Sequence, residues 1–221
     1  MQRNVRMEDI SDGKLYTAND LVRADTNQCQ GCSACCHGMG TSIVLDPLDV
    51  HEICKYTQKT VQEMLSGMLE LNVVDGIILP NLSMKGEKEA CGFLNGEGRC
   101  SIHPARPGIC RLFPLGRYYE NNTFQYFLQI HECDKNKTKV KVKKWIDMPN
   151  LKEYEAYINT WHYFQKELQH EIQEKAQDSY MKQVSMYVLQ KFYLQPFLGT
   201  IDFYSQFYQR IQQAKEELLG K

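Results

Sequence analysis

The feature that most constrains this chain is the segment CQGCSACC, which places Cys29, Cys32, Cys35 and Cys36 within eight residues. A Cys-x-x-Cys spacing lets the backbone curl so that two sulfurs face one centre, and the first three of these cysteines repeat that spacing twice. Ferredoxin-type ligation uses the same rhythm, with three closely spaced sulfurs and a remote fourth. The segment therefore predicts a thiolate site for a metal ion or an iron–sulfur cluster.

The adjacent pair Cys35 and Cys36 needs a separate explanation. Neighbouring side chains on an extended backbone point to opposite sides, so the two thiols are not expected to bind one ion in the same way. Either one of them is not a ligand, or the two serve different metal centres. A vicinal disulfide is the less favoured third option because its geometry is strained.

The remaining cysteines are spaced irregularly, and four of them lie beside turn residues or at predicted strand ends: Cys91, Cys100, Cys110 and Cys133. Together with the block they give eight candidate ligands, enough for two four-sulfur sites or for one cluster with spare thiols. Cys54 is the ninth cysteine. It lies on the apolar face of a predicted helix, where a free cysteine behaves as a small hydrophobe, and is predicted to be a packing residue.

Charged and imidazole groups accompany the cysteines. Arg106 and Arg111 flank Cys110 and are candidates for balancing the negative charge of a thiolate site. His37 and His103 are weaker candidates as zinc ligands, because a lone histidine is more often structural.

Composition limits the classes of protein that the chain can be. Nine cysteines without a visible signal peptide favour metal ligands over a disulfide framework and indicate a reducing, cytoplasmic location. No apolar run is long enough for a membrane helix. A net charge of −1 gives no general argument for a nucleic-acid partner, and the lysine-rich segment KNKTKVKVKKW is more typical of a solvated edge strand.

The pattern of elements predicts an α+β fold, in which a small, irregular, metal-organised cysteine domain with short strands, a hairpin and helices precedes a C-terminal helical region. The expected boundaries are an N-terminal extension at 1–28, the cysteine domain at 29–136, a basic linker or edge strand at 137–147 and the helical region at 148–221.

Local signals place several elements. Asp46 before Pro47 predicts a helix start, and Thr57 and Asp178 are predicted to cap two further helices. Asn121 and Asn122 predict the turn of a hairpin, since asparagine tolerates a positive φ. Aromatic residues recur at three- and four-residue steps after residue 150, which predicts helices with a buried aromatic face.

Two segments taken together resemble the YkgJ-like cysteine-cluster family, whose members are described as zinc- or iron-chelating: CQGCSACC fits its Cys-x2-Cys-x2-Cys-Cys signature, and CGFL with CSIHPARPGICRLFP fits its second signature. The resemblance implies that the eight cysteines outside Cys54 are the metal ligands. A flagellin lysine N-methylase contains a related cysteine block that is associated with an iron–sulfur cluster. That likeness favours an iron–sulfur cluster here, including the 4Fe-4S type, over zinc, but it does not carry methylase activity over.

Three functions remain open from the sequence. The first is a metal-binding module with a structural or redox centre and a helical region that binds a protein partner. The second is an enzyme that modifies a protein or peptide, although no nucleotide-binding, zinc-protease or serine-hydrolase motif is present. The third is a protein for metal storage or delivery.

Overall fold

The computed structural model describes residues 6–25, 32–130, 132–133 and 138–220. Helices and small antiparallel sheets alternate along the chain, which confirms the predicted α+β class. Two compact units emerge from the internal contacts. Unit 1 comprises Met1–Gly40 and Met84–Asn159, and unit 2 comprises Thr41–Ser83 and Thr160–Lys221.

The described helices of unit 1 are short, apart from the first part of α6. They are α1 (Met7–Ile10), α4 (Gly108–Leu112), α5 (Val142–Ile146) and the beginning of α6 (Leu151–Lys175), with 3₁₀ turns at Ala34–Cys36 and His103–Ala105. The strands of unit 1 are β1 (Ser11–Tyr16), β2 (Leu21–Asp25), β5 (Met84–Lys85), β6 (Ala90–Cys91), β7 (Leu115–Glu120), β8 (Thr123–Gln129) and β9 (Thr138–Lys141).

The sheets of unit 1 are antiparallel. One has the order β1–β8–β7, and two further pairs join β2 to β9 and β5 to β6. The predicted hairpin is confirmed: β7 and β8 are joined by Asn121 and Asn122, whose φ values are 51° and 58°. Within the lysine-rich segment, Thr138–Lys141 form β9, which pairs with β2 in a two-stranded sheet, and the residues from Val142 onward belong to α5.

A small apolar core stabilises the β2–β9 side of unit 1. Its buried members come from strands and short helices that are far apart in sequence: Val22, Ala24, Leu112, Leu115, Tyr126, Val142 and Ile146. Val142 and Ile146 are fully buried on α5. This core shows that part of unit 1 has hydrophobic stabilisation of its own, independent of any metal.

Unit 2 combines a hairpin with longer helices. Its elements are α2 (Pro47–Thr57), α3 (Val61–Met64), β3 (Leu69–Val74), β4 (Ile77–Leu82), the later part of α6, α7 (Asp178–Leu189), a π-helical turn (Gln190–Leu194) and α8 (Phe203–Leu219). β3 and β4 form a regular antiparallel pair. The predicted helix starting at Pro47 is confirmed.

Aromatic rings form the centre of unit 2. Trp161 lies 5.0 Å from Phe192 and 6.1 Å from Phe207, measured between ring centroids, and Phe164 lies 5.8 Å from Phe192. These rings are buried. The periodic aromatic residues of the C-terminal region are therefore core residues, as their spacing predicts.

Two helix caps differ from prediction. The helix expected to begin near Thr57 begins at Val61, with Thr60 as its cap, because Thr60 and Glu63 form a reciprocal capping box. Asp178 is the first residue of α7 and not its cap, which is Gln177. A carboxylate in the first helical turn still interacts favourably with the helix dipole. Asp178 therefore marks the start of α7 correctly, although it is the first helical residue and not the cap.

The α2 cap supports a direct stability test. The Asp46 carboxylate accepts a hydrogen bond from the Asp49 N–H at 2.9 Å, and the Asp49 carboxylate accepts one from the Asp46 N–H at 3.1 Å. Asp46→Ala is expected to lower the free energy of unfolding by about 1 kcal/mol. Urea denaturation measures this change, and Glu52→Ala on the same helix is the matched control. An equal loss in both variants contradicts the importance of the cap.

Among the described helices, none combines the length and apolar character that a membrane-spanning segment requires.

Candidate metal centre

The adjacent cysteines lie in a 3₁₀ turn, Ala34–Cys36. The expectation of an extended backbone with opposed side chains is therefore wrong at this position. The turn is closed by the Cys36 N–H donating to the Ser33 carbonyl at 2.9 Å. Because the backbone curls here, both thiols can approach the same neighbours. Cys35 and Cys36 therefore do not have to face different metal centres.

The thiols of this turn interact directly. The Cys36 thiol donates a hydrogen bond to Cys35, which lowers the pKa of Cys35 to about 7 against the opposing effect of burial. The same bond, together with burial, raises the pKa of Cys36. Cys35 is therefore the thiol of this pair that ionises first. None of the described cysteines forms a disulfide bond.

Cys91 and Cys100 lie in two matching local structures. Each sulfur accepts a hydrogen bond from the backbone N–H two residues later, which belongs to Phe93 after Cys91 and to Ile102 after Cys100. Burial raises the pKa of both thiols, and these N–H groups act in the opposite direction. N–H donors aimed at sulfur stabilise a thiolate and also the metal that it holds.

Sequence reasoning did not identify these two donors, although a signal for them exists. Both cysteines are followed at the second position by a large apolar residue, in CGF and in CSI. Phe93 and Ile102 are 3% and 2% exposed. An anchored apolar side chain fixes the direction of its own N–H, so a Cys-x-apolar repeat marks this arrangement.

Backbone pairing brings these loops together. His37 forms a β-bridge with Ala90, and the Gly38 N–H donates to the Glu89 carbonyl at 3.0 Å. The 3₁₀ turn is thus attached to β6, which ends at Cys91. A second bridge joins Leu94 to Cys100, and it closes the glycine-containing loop between the two cysteines.

Four of the thiols influence one another through their charges. After the hydrogen bond to Cys35 and burial, the negative charges of Cys35, Cys91 and Cys100 further raise the pKa of Cys36. The pKa of Cys91 is raised mainly by burial and, to a smaller extent, by the negative charges of Cys100 and Cys35. We call these four residues the thiol cluster. It unites the cysteine block with the second group of cysteines.

A comparison with known families identifies the cysteine-rich segment. The sequence model of the CxxCxxCC family, described as a "putative zinc- or iron-chelating domain", matches residues 28–134. The chain carries a CxxCxxCC domain. The likeness to the YkgJ-like cysteine-cluster family is confirmed. No curated protein and no solved structure gives a significant match to the chain.

Arg106 acts on two members of the thiol cluster, and Arg99 also acts on Cys100. The charge of Arg106 favours the ionised form of Cys100 against the burial that raises the pKa of that thiol, and it contributes in the same sense at Cys35. Arg106 Nη1 lies 3.2 Å from His103 Nε2, while Arg106 Nε is buried with no hydrogen-bond acceptor among the described residues. A negatively charged thiolate–metal group would supply such an acceptor.

The other charged and imidazole residues predicted to lie near the metal contact residues close to them in the sequence. Arg111 donates to the backbone carbonyls of Arg106 and Pro104, which stabilises the turn that leads into α4. His37 Nδ1 lies 2.9 Å from the Ser33 carbonyl oxygen, so one ring nitrogen serves the 3₁₀ turn. The pKa of His103 is lowered by burial and then by nearby arginines, which keeps its ring neutral.

The remaining candidate ligands are distributed over unit 1. Cys32 precedes the 3₁₀ turn, Cys110 lies in α4 and Cys133 follows β8, and all three are half-buried. Cys29 lies outside the described residues. Over the described ranges, no three His, Cys, Asp or Glu side chains are placed so that they could hold one metal ion.

Cys54 differs from the other cysteines. It lies on α2 in unit 2, whereas the thiol cluster lies in unit 1. The side chain is half-buried, and burial raises its pKa to about 11. The neutral thiol is therefore its normal form, as expected of a packing residue.

The donor set fits a thiolate-bound metal group. Soft sulfur ligands select zinc, iron–sulfur clusters and copper(I). Two backbone N–H donors and one buried guanidinium stand beside the sulfurs, which is the environment that an anionic centre requires.

Proposed function

We propose that the CxxCxxCC domain of this chain holds an iron–sulfur cluster on cysteine thiolates, with zinc as the alternative occupant. The family description supports zinc or iron chelation at the level of the whole domain. The proposed ligands come from the following cysteines: Cys29, Cys32, Cys35, Cys36, Cys91, Cys100, Cys110 and Cys133. When bound, such a cluster supplies one-electron redox capacity and also cross-links its loops.

The observation that carries this proposal is the convergence of the thiol cluster. Its members come from the 3₁₀ turn, from β6 and from the Leu94–Cys100 bridge. Ordinary packing does not favour four partly buried thiols whose charges act on one another, because ionised thiolates repel and buried charge is costly.

The preference for iron–sulfur over zinc rests on two features of the chain. Cys29, Cys32 and Cys35 follow the closely spaced rhythm of ferredoxin ligands. The N–H groups that point at Cys91 and Cys100 are of the kind that set cluster potentials. A zinc site would need the same sulfurs, but it would only organise the loops.

A protein partner for the helical region is the second part of the proposal. Unit 2 exposes several large apolar side chains, including Met186 at 58%, Leu198 at 58% and Ile201 at 50%. Exposed apolar groups on a folded helical unit support a role in association. The cytoplasmic location expected from the cysteine content would keep the thiols reduced and available for metal.

Visible absorption of the anaerobically purified chain tests the iron–sulfur proposal. We expect broad sulfur-to-iron bands that weaken on reduction with dithionite. A colourless protein that contains zinc would contradict the iron–sulfur assignment while leaving metal chelation intact. A colourless protein without metal would contradict both.

Arg106 provides a second test of the centre. Arg106→Gln is expected to weaken metal retention about tenfold, because removing a charged group that neighbours ligating sulfurs typically costs 10- to 100-fold in affinity. Competition with a chelator measures this loss. Arg106→Lys keeps the charge and is expected to retain more metal. Equal retention in the wild type and in Arg106→Gln would show that Arg106 does not act on the centre.

A further inference from the structure

A cleft of about 260 Å³ lies in unit 1, away from any residue proposed to bind metal. Its lining residues belong to β1 and the following turn, to β8 and to α6: Tyr16, Thr17, Ala18, Thr123, Phe124, Gln125, Tyr126, Glu155, Ala156 and Asn159. Ligand pockets for drug-sized molecules are about 300–1,000 Å³, so this one would hold only a small molecule or one side chain.

Two lining residues of this cleft carry hydrogen-bond acceptors. Glu155 and Asn159 are four residues apart on α6 and therefore share one face of the helix. Glu155 Oε1 accepts a hydrogen bond from the Tyr126 hydroxyl at 2.8 Å. Among the described residues, no cation forms an ion pair with Glu155, so its carboxylate charge faces the cleft without a salt-bridge partner.

The orientation of the Asn159 amide is fixed by its other contact. Its Nδ2 donates to the Asn122 carbonyl at 2.7 Å, which leaves Oδ1 directed elsewhere. Oδ1 is buried and has no donor among the described residues. A buried acceptor without a donor costs about 1–3 kcal/mol, and a ligand that donates a hydrogen bond would remove this cost.

Aromatic side chains form the walls of the cleft. Phe124 and Tyr126 pack edge to face with their ring centroids 5.3 Å apart, and Tyr16 contributes a third ring. An ammonium group within about 6 Å of an aromatic face is attracted by the ring quadrupole. One face of Phe124 is already occupied by Arg117, whose guanidinium carbon lies 5.6 Å from the Phe124 ring centroid and 5.6 Å from that of Tyr154. Arg117 also donates to the Tyr154 hydroxyl, so the faces of Tyr16 and Tyr126 are the ones offered to a second cation.

From this combination of a carboxylate, an orphaned amide oxygen and aromatic walls, we propose that the cleft binds a primary alkylammonium group. The ammonium would donate to Glu155 and Asn159 while its alkyl chain packs on the rings. The same chemistry is presented by a free small amine and by a lysine side chain. This site does not depend on the proposed metal centre.

The test is a titration of the full chain followed by backbone amide NMR, with n-butylammonium, N-acetyl-lysine methylamide and the neutral analogue 1-butanol as probes. We expect saturable shifts at Thr17, Ala18, Glu155 and Ala156 with one or both ammonium probes and none with 1-butanol. Binding of the free amine alone would identify a small-molecule site, and binding of the lysine derivative would identify a side-chain site.

Matched variants make the test specific. Glu155→Gln is expected to weaken ammonium binding about tenfold or more, because hydrogen bonds to charged groups contribute strongly. Glu153→Gln, on the exposed side of the same helix, should bind as the wild type does. Asn159→Ala gives a second reading if Glu155→Gln folds poorly. No saturable shift, an equal response to 1-butanol, or unchanged affinity in both cleft variants would overturn the proposal.

Discussion

Cys100→Ser is expected to remove most of the bound metal from the purified chain, whereas Cys54→Ser is expected to leave the metal content unchanged. Cys100 belongs to the thiol cluster and carries the Ile102 N–H beside its sulfur. Serine keeps the size of the side chain but offers a hydroxyl that does not ionise at neutral pH, so a soft metal loses a ligand.

Elemental analysis of the two variants, purified side by side without oxygen, measures this difference. Cys54 is the matched control because it is another half-buried cysteine, on α2, with a pKa raised by burial to about 11. Comparable metal loss in both variants would place Cys54 in the centre. Full metal content in Cys100→Ser would remove Cys100 from the ligand set.

Metal removal is expected to open the loops around the thiol cluster to trypsin while α6, α7 and α8 stay protected. The segment that contains Lys88 and Arg99 holds only short strands, isolated bridges and turns. A ligand present at 100 times its dissociation constant adds about 2.7 kcal/mol of stability, so its loss should speed cleavage here by about 100-fold.

Mass spectrometry of timed digests locates the first cuts. Lys166 on α6 serves as the internal control, because its helix is anchored by the aromatic core of unit 2. We expect early cleavage at Lys88 and Arg99 only after the metal has been removed with a chelator. Unchanged protection of both sites, or earlier cleavage at Lys166, would show that the metal does not organise these loops.

Much of the secondary structure follows from local signals in the sequence. Asp46 and Pro47 define the start of α2, and the Asn121–Asn122 turn defines the β7–β8 hairpin. Each of these features depends on residues that are close together in the chain, so their chemistry is sufficient to place them.

Long-range pairing was not predictable in the same way. β1 pairs with β8 and β2 pairs with β9, although the sequence between them gives no sign of partner or register. Such pairing depends on burial against distant segments, for example Val22 and Ala24 against Val142. Strand propensity alone does not identify that context.

The candidate site was predictable in composition but not in geometry. The cysteine spacing indicated a metal-binding domain, and the family match agrees. The 3₁₀ turn at Ala34–Cys36 was not foreseen, because a turn of three residues is too short to show a periodic pattern of apolar side chains. The Phe93 and Ile102 donors depend on how two buried side chains orient the backbone, which becomes visible only in the fold.

The central claim is that the thiols of the CxxCxxCC domain hold a metal, and iron–sulfur is the proposed form. Quantifying iron, zinc and acid-labile sulfide in the chain isolated under strictly anaerobic conditions tests it most directly. We expect iron and sulfide in equal molar amounts, bound in proportion to protein. Protein that contains neither iron nor zinc would contradict the claim that these thiols form a metal centre.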